Sequence, residues 1–69
     1  MTFQQQVNII ANIVSAYNLY VETRTSNGHT YQDVRGFINT RNIYIAINFT
    51  AQTIFWRDSF SAESKVFRF

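Results

Sequence analysis

The spacing of the apolar residues changes once along the chain, at Asn18, and this change constrains the fold more than any other feature of the sequence. Before it, steps of three and four residues separate Phe3, Val7, Ile10, Val14 and Tyr17. That period is typical of an amphipathic helix. After Asn18, residues alternate in steps of two, as in strands with one buried face. The sequence therefore predicts an α+β fold, in which an N-terminal helix packs on one face of an antiparallel sheet.

The helix is predicted over about residues 2–17. Thr2, with Gln5 three residues later, matches a capping box, and Asn18 can end the helix in a left-handed conformation. A second apolar stripe runs beside the first, at Ile9, Ile13, Ala16 and Tyr20. Together the two stripes are wider than the arc that a helix needs to cover one sheet. We therefore expect that either the twisted sheet curls around more of the helix or a second molecule covers its outer flank.

Strands are predicted over about residues 19–26, 29–40, 43–50 and 53–60, and the prediction leaves open a fifth strand over 65–69. Asn27-Gly28 indicates a two-residue hairpin turn, because both of its central positions need positive φ. Breaks at 41–42 and 51–52 separate the later strands, so the sequence predicts a four- to five-stranded β-meander. Residues 1–69 are predicted to form a single domain.

Two-residue turns at these three places predict the cross-strand pairs. The pairs are Val21 with Val34, Ile38 with Ile45, Ile47 with Trp56, Ile43 with Phe60, and Phe49 with Ile54. Only the parity is firm, because four-residue turns would leave the same residues on each face. The predicted apolar face consists of Leu19, Val21, Val34, Ile38, Ile43, Ile45, Ile47, Phe49, Ile54, Trp56 and Phe60.

The opposite face of the predicted sheet should contact water, yet it combines arginines with aromatic residues. The candidate binding residues on it are Tyr20, Arg24, Tyr31, Arg35, Phe37, Tyr44, Phe55 and Arg57. Phe37 and Phe55 are expected to be neighbours, together with Ala46 and Asn48, with Tyr44 beside them. Contiguous exposed apolar patches usually mark interaction sites. This face is therefore predicted to bind a partner, either a protein or a nucleic acid.

The length and composition of the chain limit how the domain can be stabilised and what it can bind. A domain of 69 residues has a marginal core and usually needs disulfides, a metal or a partner for stability. The sequence has no cysteine, and its one histidine, His29, cannot form a metal cluster with so few carboxylates. We therefore expect no metal and no cofactor, and association is the stabilising factor that remains. Aromatic residues make up 17% of the chain and arginine dominates lysine, a bias that protein interfaces share.

These features favour a non-enzymatic protein-binding or assembly module. It would form a homo-oligomer, or dock on a larger protein, as compact phage and plasmid accessory proteins do. The alternative is single-stranded nucleic-acid binding, in which bases stack on the rings of the Arg/aromatic face; the net charge of +2 permits this. The four acids are scattered and form no catalytic set with His29. Asp58 is expected on the apolar face, opposite Ile45, where a buried carboxylate needs a partner.

The N-terminal segment MTFQQQVNII lacks the basic start and the small-residue cleavage site of a signal peptide. Asn8, Asn12 and Ser15 interrupt the apolar residues too often for a transmembrane span. We therefore expect a cytoplasmic protein with no membrane partner.

Overall fold

The chain begins with a helix, α1, and continues as five antiparallel strands. The structure, a computed structural model, describes residues 1–58 and 64–69. Its elements are α1 Phe3–Tyr17, β1 Tyr20–Ser26, β2 His29–Ile38, β3 Arg41–Asn48, β4 Thr53–Asp58 and β5 Ser64–Arg68. The strands follow one another in chain order across one sheet, β1-β2-β3-β4-β5. The predicted α+β meander is confirmed, with the fifth strand included, and the predicted end of the fourth strand at 59–60 lies outside the described residues.

Both ends of α1 form as the sequence predicts. The backbone N–H of Gln5 donates to Thr2 Oγ1 at 3.2 Å, and the N–H of Thr2 donates to Gln5 Oε1 at 2.8 Å. This capping box satisfies two donors that the first helical turn leaves free. At the other end Asn18 is left-handed, with φ 55° and ψ 45°, and the N–H of Leu19 donates to the carbonyl of Val14. The change of period at Asn18 is therefore the helix end itself.

The turns correct two of the predicted strand boundaries. Asn27 and Gly28 have positive φ, as expected for a two-residue hairpin turn. The next turn lies at Asn39-Thr40, with φ 48° and 70°, and the predicted break at 41–42 is wrong. Asparagine tolerates this conformation because its short side chain can hydrogen-bond locally. As a result β2 ends at Ile38, and β3 begins at Arg41.

A four-residue loop, 49–52, joins β3 to β4 in place of the predicted two-residue break at 51–52. Asn48 ends the strand, because its Oδ1 accepts the backbone N–H groups of Thr50 at 3.1 Å and Ala51 at 2.9 Å. Side-chain bonds of this kind mimic a backbone turn and compete with the ladder. The predicted third strand, 43–50, therefore ends two residues early.

The register differs from the prediction by even numbers of residues. Val21 faces Val34 as predicted. Three of the other predicted pairs are wrong, and the fourth involves Phe60, which lies outside the described residues. The observed pairs are Val34 with Ile45, Ile38 with Arg41, Ile45 with Trp56, Ile47 with Ile54, and Ile43 with Asp58. An even shift leaves every side chain on its own face. The predicted parity is therefore correct, although most of the predicted partners are not.

The core lies between α1 and the middle of the sheet. Its buried apolar residues are Ile10, Leu19, Val34, Ile43, Ile45, Ile47 and Ile54, and the partly buried residues against them are Phe3, Val7, Ile13, Val14, Ile38 and Trp56. On the same sheet face Val21 and Phe49 stay more than one-third exposed, although Phe49 packs edge-to-face on Phe3 of α1, with ring centroids 5.8 Å apart. Among the described residues, no helix has the length and apolarity needed to cross a membrane.

Candidate binding surfaces

The face of the sheet away from α1, called the outer sheet face below, carries all eight residues that the sequence predicts as a binding site. Four of them form one row across four strands, through the pairs Tyr20–Arg35, Arg35–Tyr44 and Tyr44–Arg57. Arg24 pairs with Tyr31 in a second row, and Phe55 pairs with Ala46 and Val66 between the two rows. Tyrosine and arginine therefore alternate along the first row.

A buried carboxylate organises part of the outer sheet face. Asp33 is only 3% exposed. Arg24 Nε donates to its Oδ2 at 2.7 Å, and the Tyr44 hydroxyl donates to its Oδ1 at 3.1 Å. The bond to Asp33 raises the pKa of the Arg24 guanidinium above its ordinary value. Asp33 is therefore a structural anchor, which sequence reasoning missed because the two bonds depend on the β1–β2 and β2–β3 registers.

Further contacts connect the arginines and rings of this face within the chain. The Arg24 guanidinium lies 4.0 Å from the centre of the Tyr31 ring, and that of Arg35 lies 5.9 Å from the Tyr44 ring. Arg35 also lies 3.8 Å from a Glu22 carboxylate oxygen. A binding partner at these arginines would have to replace contacts that the chain already makes. The outer sheet face is therefore less available for polar recognition than its composition indicates.

Phe37 does not join the predicted cluster. It pairs with Asn42, while Ala46 pairs with Asp33 and Phe55, so the row that contains Tyr44 lies between Phe37 and Phe55. The prediction that the two rings are neighbours is wrong, because the β2–β3 turn lies at 39–40 and shifts the register. Phe37 is nevertheless 65% exposed. The ring that contacts Phe55 is Tyr44, with centroids 6.0 Å apart in an edge-to-face arrangement.

The helix side of the sheet has a second surface, a groove of about 460 Å³ between α1 and the β4–β5 margin. We call it the helix–β5 groove. Its apolar lining consists of Ile9, Ile10, Ile13, Ile54, Trp56 and Phe67, and its polar lining of Gln6, Arg41, Asp58 and Lys65. Ile9 and Ile13 belong to the second apolar stripe of the helix. The groove therefore lies along the flank that the sequence predicts to be in contact with another surface.

The strand β5 borders this groove and is exposed along its whole length. Val66 is 55% exposed and Phe67 is 45% exposed, and these neighbours in a strand point to opposite faces. Phe69 also stays exposed and packs edge-to-face on Phe3, at 5.7 Å between centroids. The apolar surface thus continues from the groove along β5 to this aromatic contact.

Asp58 and His29, the two polar residues that the sequence analysis considered for chemistry, both contact other side chains of the chain. Asp58 lies on the helix side of the sheet as predicted, opposite Ile43 rather than Ile45, and its carboxylate lies 3.5 Å from Arg41 Nη1. His29 stacks on Tyr31, and its Nδ1 lies 3.1 Å from the Asn48 amide nitrogen. In residues 1–58 and 64–69, no three His, Cys, Asp or Glu side chains are grouped so as to hold a metal ion.

The sequence did not predict the helix–β5 groove as a site. The second apolar stripe of the helix, with Ile9 and Ile13, was the one feature that indicated a further apolar surface there. Its other wall, Trp56 and Phe67, depends on where the helix crosses the sheet, which periodicity does not specify. Comparison of the chain with protein-family models, with curated proteins and with solved structures found no match. Function is therefore inferred from these surfaces alone.

Proposed function

We propose that the protein is a non-enzymatic protein-binding module and that its partner docks in the helix–β5 groove. The observation that carries this proposal is the exposed apolar lining of this groove, where Phe67 of β5 is 45% exposed and Ile9 of α1 is 38% exposed. Exposed apolar surface that is contiguous and bordered by polar groups is typical of protein interaction sites. A docked protein would remove this surface from water.

The lining of the groove indicates the chemistry of the partner segment. Isoleucine side chains of α1 form one wall, and Trp56 and Phe67 form the other. Arg41, Asp58 and Lys65 bring both signs of charge to the same groove. Such a surface suits an amphipathic segment that inserts apolar side chains and keeps its polar groups at the rim. We expect Trp56 and Phe67 to contribute most to affinity, since aromatic anchors dominate many interfaces.

The groups of the outer sheet face that could perform acid–base chemistry are held in contacts within the chain, which supports a non-enzymatic role. Its buried carboxylate, Asp33, is held by Arg24 and Tyr44. His29 is held between Tyr31 and Asn48. A general acid or base needs to reach a proton on a substrate, whereas these groups are engaged in contacts that stabilise the sheet.

A second candidate function, single-stranded nucleic-acid binding, is favoured by the Tyr20–Arg35–Tyr44–Arg57 row. Alternating rings and guanidinium groups can stack on bases and contact phosphates. Glu22 and Asp33 in the adjacent row weaken this function, because phosphate contacts dominate affinity. Fluorescence anisotropy of a labelled oligothymidylate at two salt concentrations tests it. Binding that weakens as salt rises, and that Arg57→Gln reduces, supports this function, and the absence of binding at low salt rules it out.

The groove is tested by photo-cross-linking. The chain has no cysteine, so a single introduced thiol can carry a benzophenone at one chosen place. We compare Lys65→Cys, on the groove, with Asn12→Cys, on the exposed polar side of the helix. In an extract of the source cells, we expect a discrete protein adduct from position 65 and none from position 12.

A third variant makes the result specific. Adding Ile9→Lys to Lys65→Cys places a charge in the apolar lining, and the adduct should disappear. An adduct of twice the chain mass would identify the partner as a second copy, and any other discrete mass would identify a different protein. Equal labelling from positions 65 and 12, or no adduct from position 65, contradicts the proposal.

A further inference from the structure

The strand β1 is one edge of the sheet, and no strand or helix of the described residues pairs with its open side. It is seven residues long, YVETRTS, and every residue in it is exposed. Edge strands are commonly protected from pairing by lysine, proline, a bulge or a covering element. β1 contains no lysine, proline or glycine, and its ladder with β2 pairs residue for residue without a bulge. The other edge, β5, is shorter and carries Lys65 and Arg68. β1 carries two charges as well, Glu22 and Arg24, but they are of opposite sign, so two antiparallel copies can pair them. Of the two edges, β1 is therefore the more open to pairing.

The backbone of β1 presents hydrogen-bonding groups to its open side. Thr30, the partner of Thr25, directs its backbone away from β1, because its carbonyl accepts from Phe49 N–H and its N–H donates to Thr50 Oγ1. Thr25 is thus in a pair without hydrogen bonds across the β1–β2 ladder. Since such pairs alternate along an antiparallel ladder, the N–H and C=O groups of Val21, Thr23 and Thr25 point outwards.

The charges of β1 select one register for pairing with a second copy. Glu22 and Arg24 lie on either side of Thr23. In an antiparallel pair centred on Thr23, each Glu22 lies directly opposite the partner's Arg24. A pair centred on Glu22 or on Arg24 would place two like charges on the axis, which is destabilising. The register centred on Thr23 also places outward-pointing backbone groups opposite one another. Thr23 lies opposite the partner's Thr23, and Val21 lies opposite the partner's Thr25.

The intrachain neighbours of Glu22 add to this preference. Glu22 lies directly opposite Asp33 in β2, and Arg35 is 3.8 Å from its carboxylate. Like charges placed opposite one another in a sheet are unfavourable. The partner's Arg24 would approach Glu22 from its open side and offset the repulsion by Asp33. Arg24 is 43% and Glu22 is 52% exposed, and Arg24 would reach the partner's Glu22 through its terminal nitrogens while its Nε keeps the bond to Asp33.

We infer that two copies of the chain associate through β1, about a two-fold axis at Thr23, to form one continuous ten-stranded antiparallel sheet. The axis is perpendicular to the sheet, so both helices lie on the same side and both helix–β5 grooves lie at the far ends. This inference deepens the proposed protein-binding function, and the role of the dimer rests on that function. The dimer would present two docking grooves, and a partner could bind at each end.

Site-specific oxidation tests the register. In the proposed dimer the two Thr23 Cα atoms are about 5.5 Å apart, which is within the range that a disulfide bridges. The two Thr25 Cα atoms are roughly 13–14 Å apart, four residues out of register. Under mild oxidation Thr23→Cys should give a covalent dimer, and Thr25→Cys, whose position is also exposed, should not. Equal dimer yields from the two variants, or none from Thr23→Cys, overturn the inference.

Sedimentation equilibrium of the uncrosslinked chain tests the charges. Wild type should dimerise in the micromolar range and dissociate as salt rises, because salt screens the Glu22–Arg24 attraction. Glu22→Lys should weaken the dimer about tenfold or more and reverse the salt dependence, since each charge pair becomes repulsive. A monomeric wild type at high micromolar concentration, or a Glu22→Lys dimer with wild-type affinity and salt dependence, overturns the inference.

Two more variants separate this inference from the proposed function. Thr23→Pro removes an N–H that faces solvent in the monomer, a position where an edge strand tolerates proline, and should weaken the dimer about tenfold or more. Ile9→Lys should leave the dimer unchanged while abolishing the adduct at the groove. A Thr23→Pro protein that keeps the wild-type melting transition and the wild-type dimer overturns the inference. Dimer loss in Ile9→Lys, with the monomer folded, overturns the assignment of the interface to β1.

Discussion

Gly36 lies in the middle of β2, where glycine usually weakens a strand, and its replacement by alanine tests how the sheet is packed. Its φ is +152°, a backbone conformation that residues other than glycine rarely adopt. A Cβ at this position would lie 2.6 Å from Leu19 Cδ2, and 3.5 Å from Leu19 Cα. Leu19 is itself buried, so its side chain cannot simply turn into water. We expect Gly36→Ala to destabilise the fold for two reasons, the unfavourable backbone conformation and the clash with Leu19.

The two contributions can be estimated from the geometry. The positive φ costs on the order of 1–3 kcal/mol for a residue with a Cβ. Displacing the buried Leu19 methyl adds about 1–3 kcal/mol, the usual cost of overpacking a core. The sum, about 2–6 kcal/mol, is a large part of the stability of a domain of this size, at ~0.05–0.15 kcal/mol per residue. For a small domain it corresponds to a melting temperature lower by roughly 10 °C or more.

Chemical denaturation followed by circular dichroism measures both contributions. Gly28→Ala is the matched control, because φ there is +79° and a Cβ would contact nothing within 4 Å. Gly28→Ala should therefore lower the free energy of unfolding only through the unfavourable backbone conformation. In a Leu19→Ala background the penalty of Gly36→Ala should fall by about 1 kcal/mol or more, since neighbouring residues that share a contact couple. Equal effects at Gly28 and Gly36, with no coupling to Leu19, would refute the close approach of β2 to Leu19.

Three further substitutions test the core, the buried carboxylate and the helix cap, each by the free energy of unfolding. Ile45→Ala should cost about 2–5 kcal/mol, because Ile45 is fully buried between α1 and the sheet; a loss below ~1 kcal/mol would contradict its central place. Asp33→Asn should cost more than Tyr44→Phe, because bonds to a charged group contribute about 1.5–3 kcal/mol and neutral ones about 0.5–1.5 kcal/mol; the reverse order would mean that Asp33 is not the anchor. Thr2→Ala should cost about 0.5–2 kcal/mol and fray the first turn of α1, since Thr2 caps it; an unchanged transition would contradict the capping box.

Local chemistry in the sequence was sufficient to predict the helix and the first hairpin. Thr2 and Gln5 specify the start of α1, Asn18 its end, and Asn27-Gly28 the first turn, because each of these depends on residues close in sequence. The later turns were harder to predict. Thr40 adopts φ 70° although β-branched residues rarely do, so nothing in the sequence distinguished 39–40 from 41–42.

The candidate site shows where patterning stops being informative. A shift of two residues leaves each face with the same composition, so parity correctly assigned Tyr44 and Phe55 to the outer sheet face but placed Phe37 beside the wrong neighbours. The bonds of Asp33 to Arg24 and Tyr44 depend on two registers at once. The helix–β5 groove depends on the path of α1 across the sheet, which tertiary packing determines and periodicity does not.

The most direct test of the docking groove uses Trp56, the only tryptophan in the chain and part of the groove wall. Protein labelled with 5-fluorotryptophan gives one fluorine resonance, from position 56. Its chemical shift is compared in dilute buffer and in an extract of the source cells, for wild type and for Ile9→Lys. A docked partner should shift or broaden the wild-type resonance in the extract and leave that of Ile9→Lys at its buffer position. A wild-type resonance that is the same in buffer and extract would contradict docking in the groove.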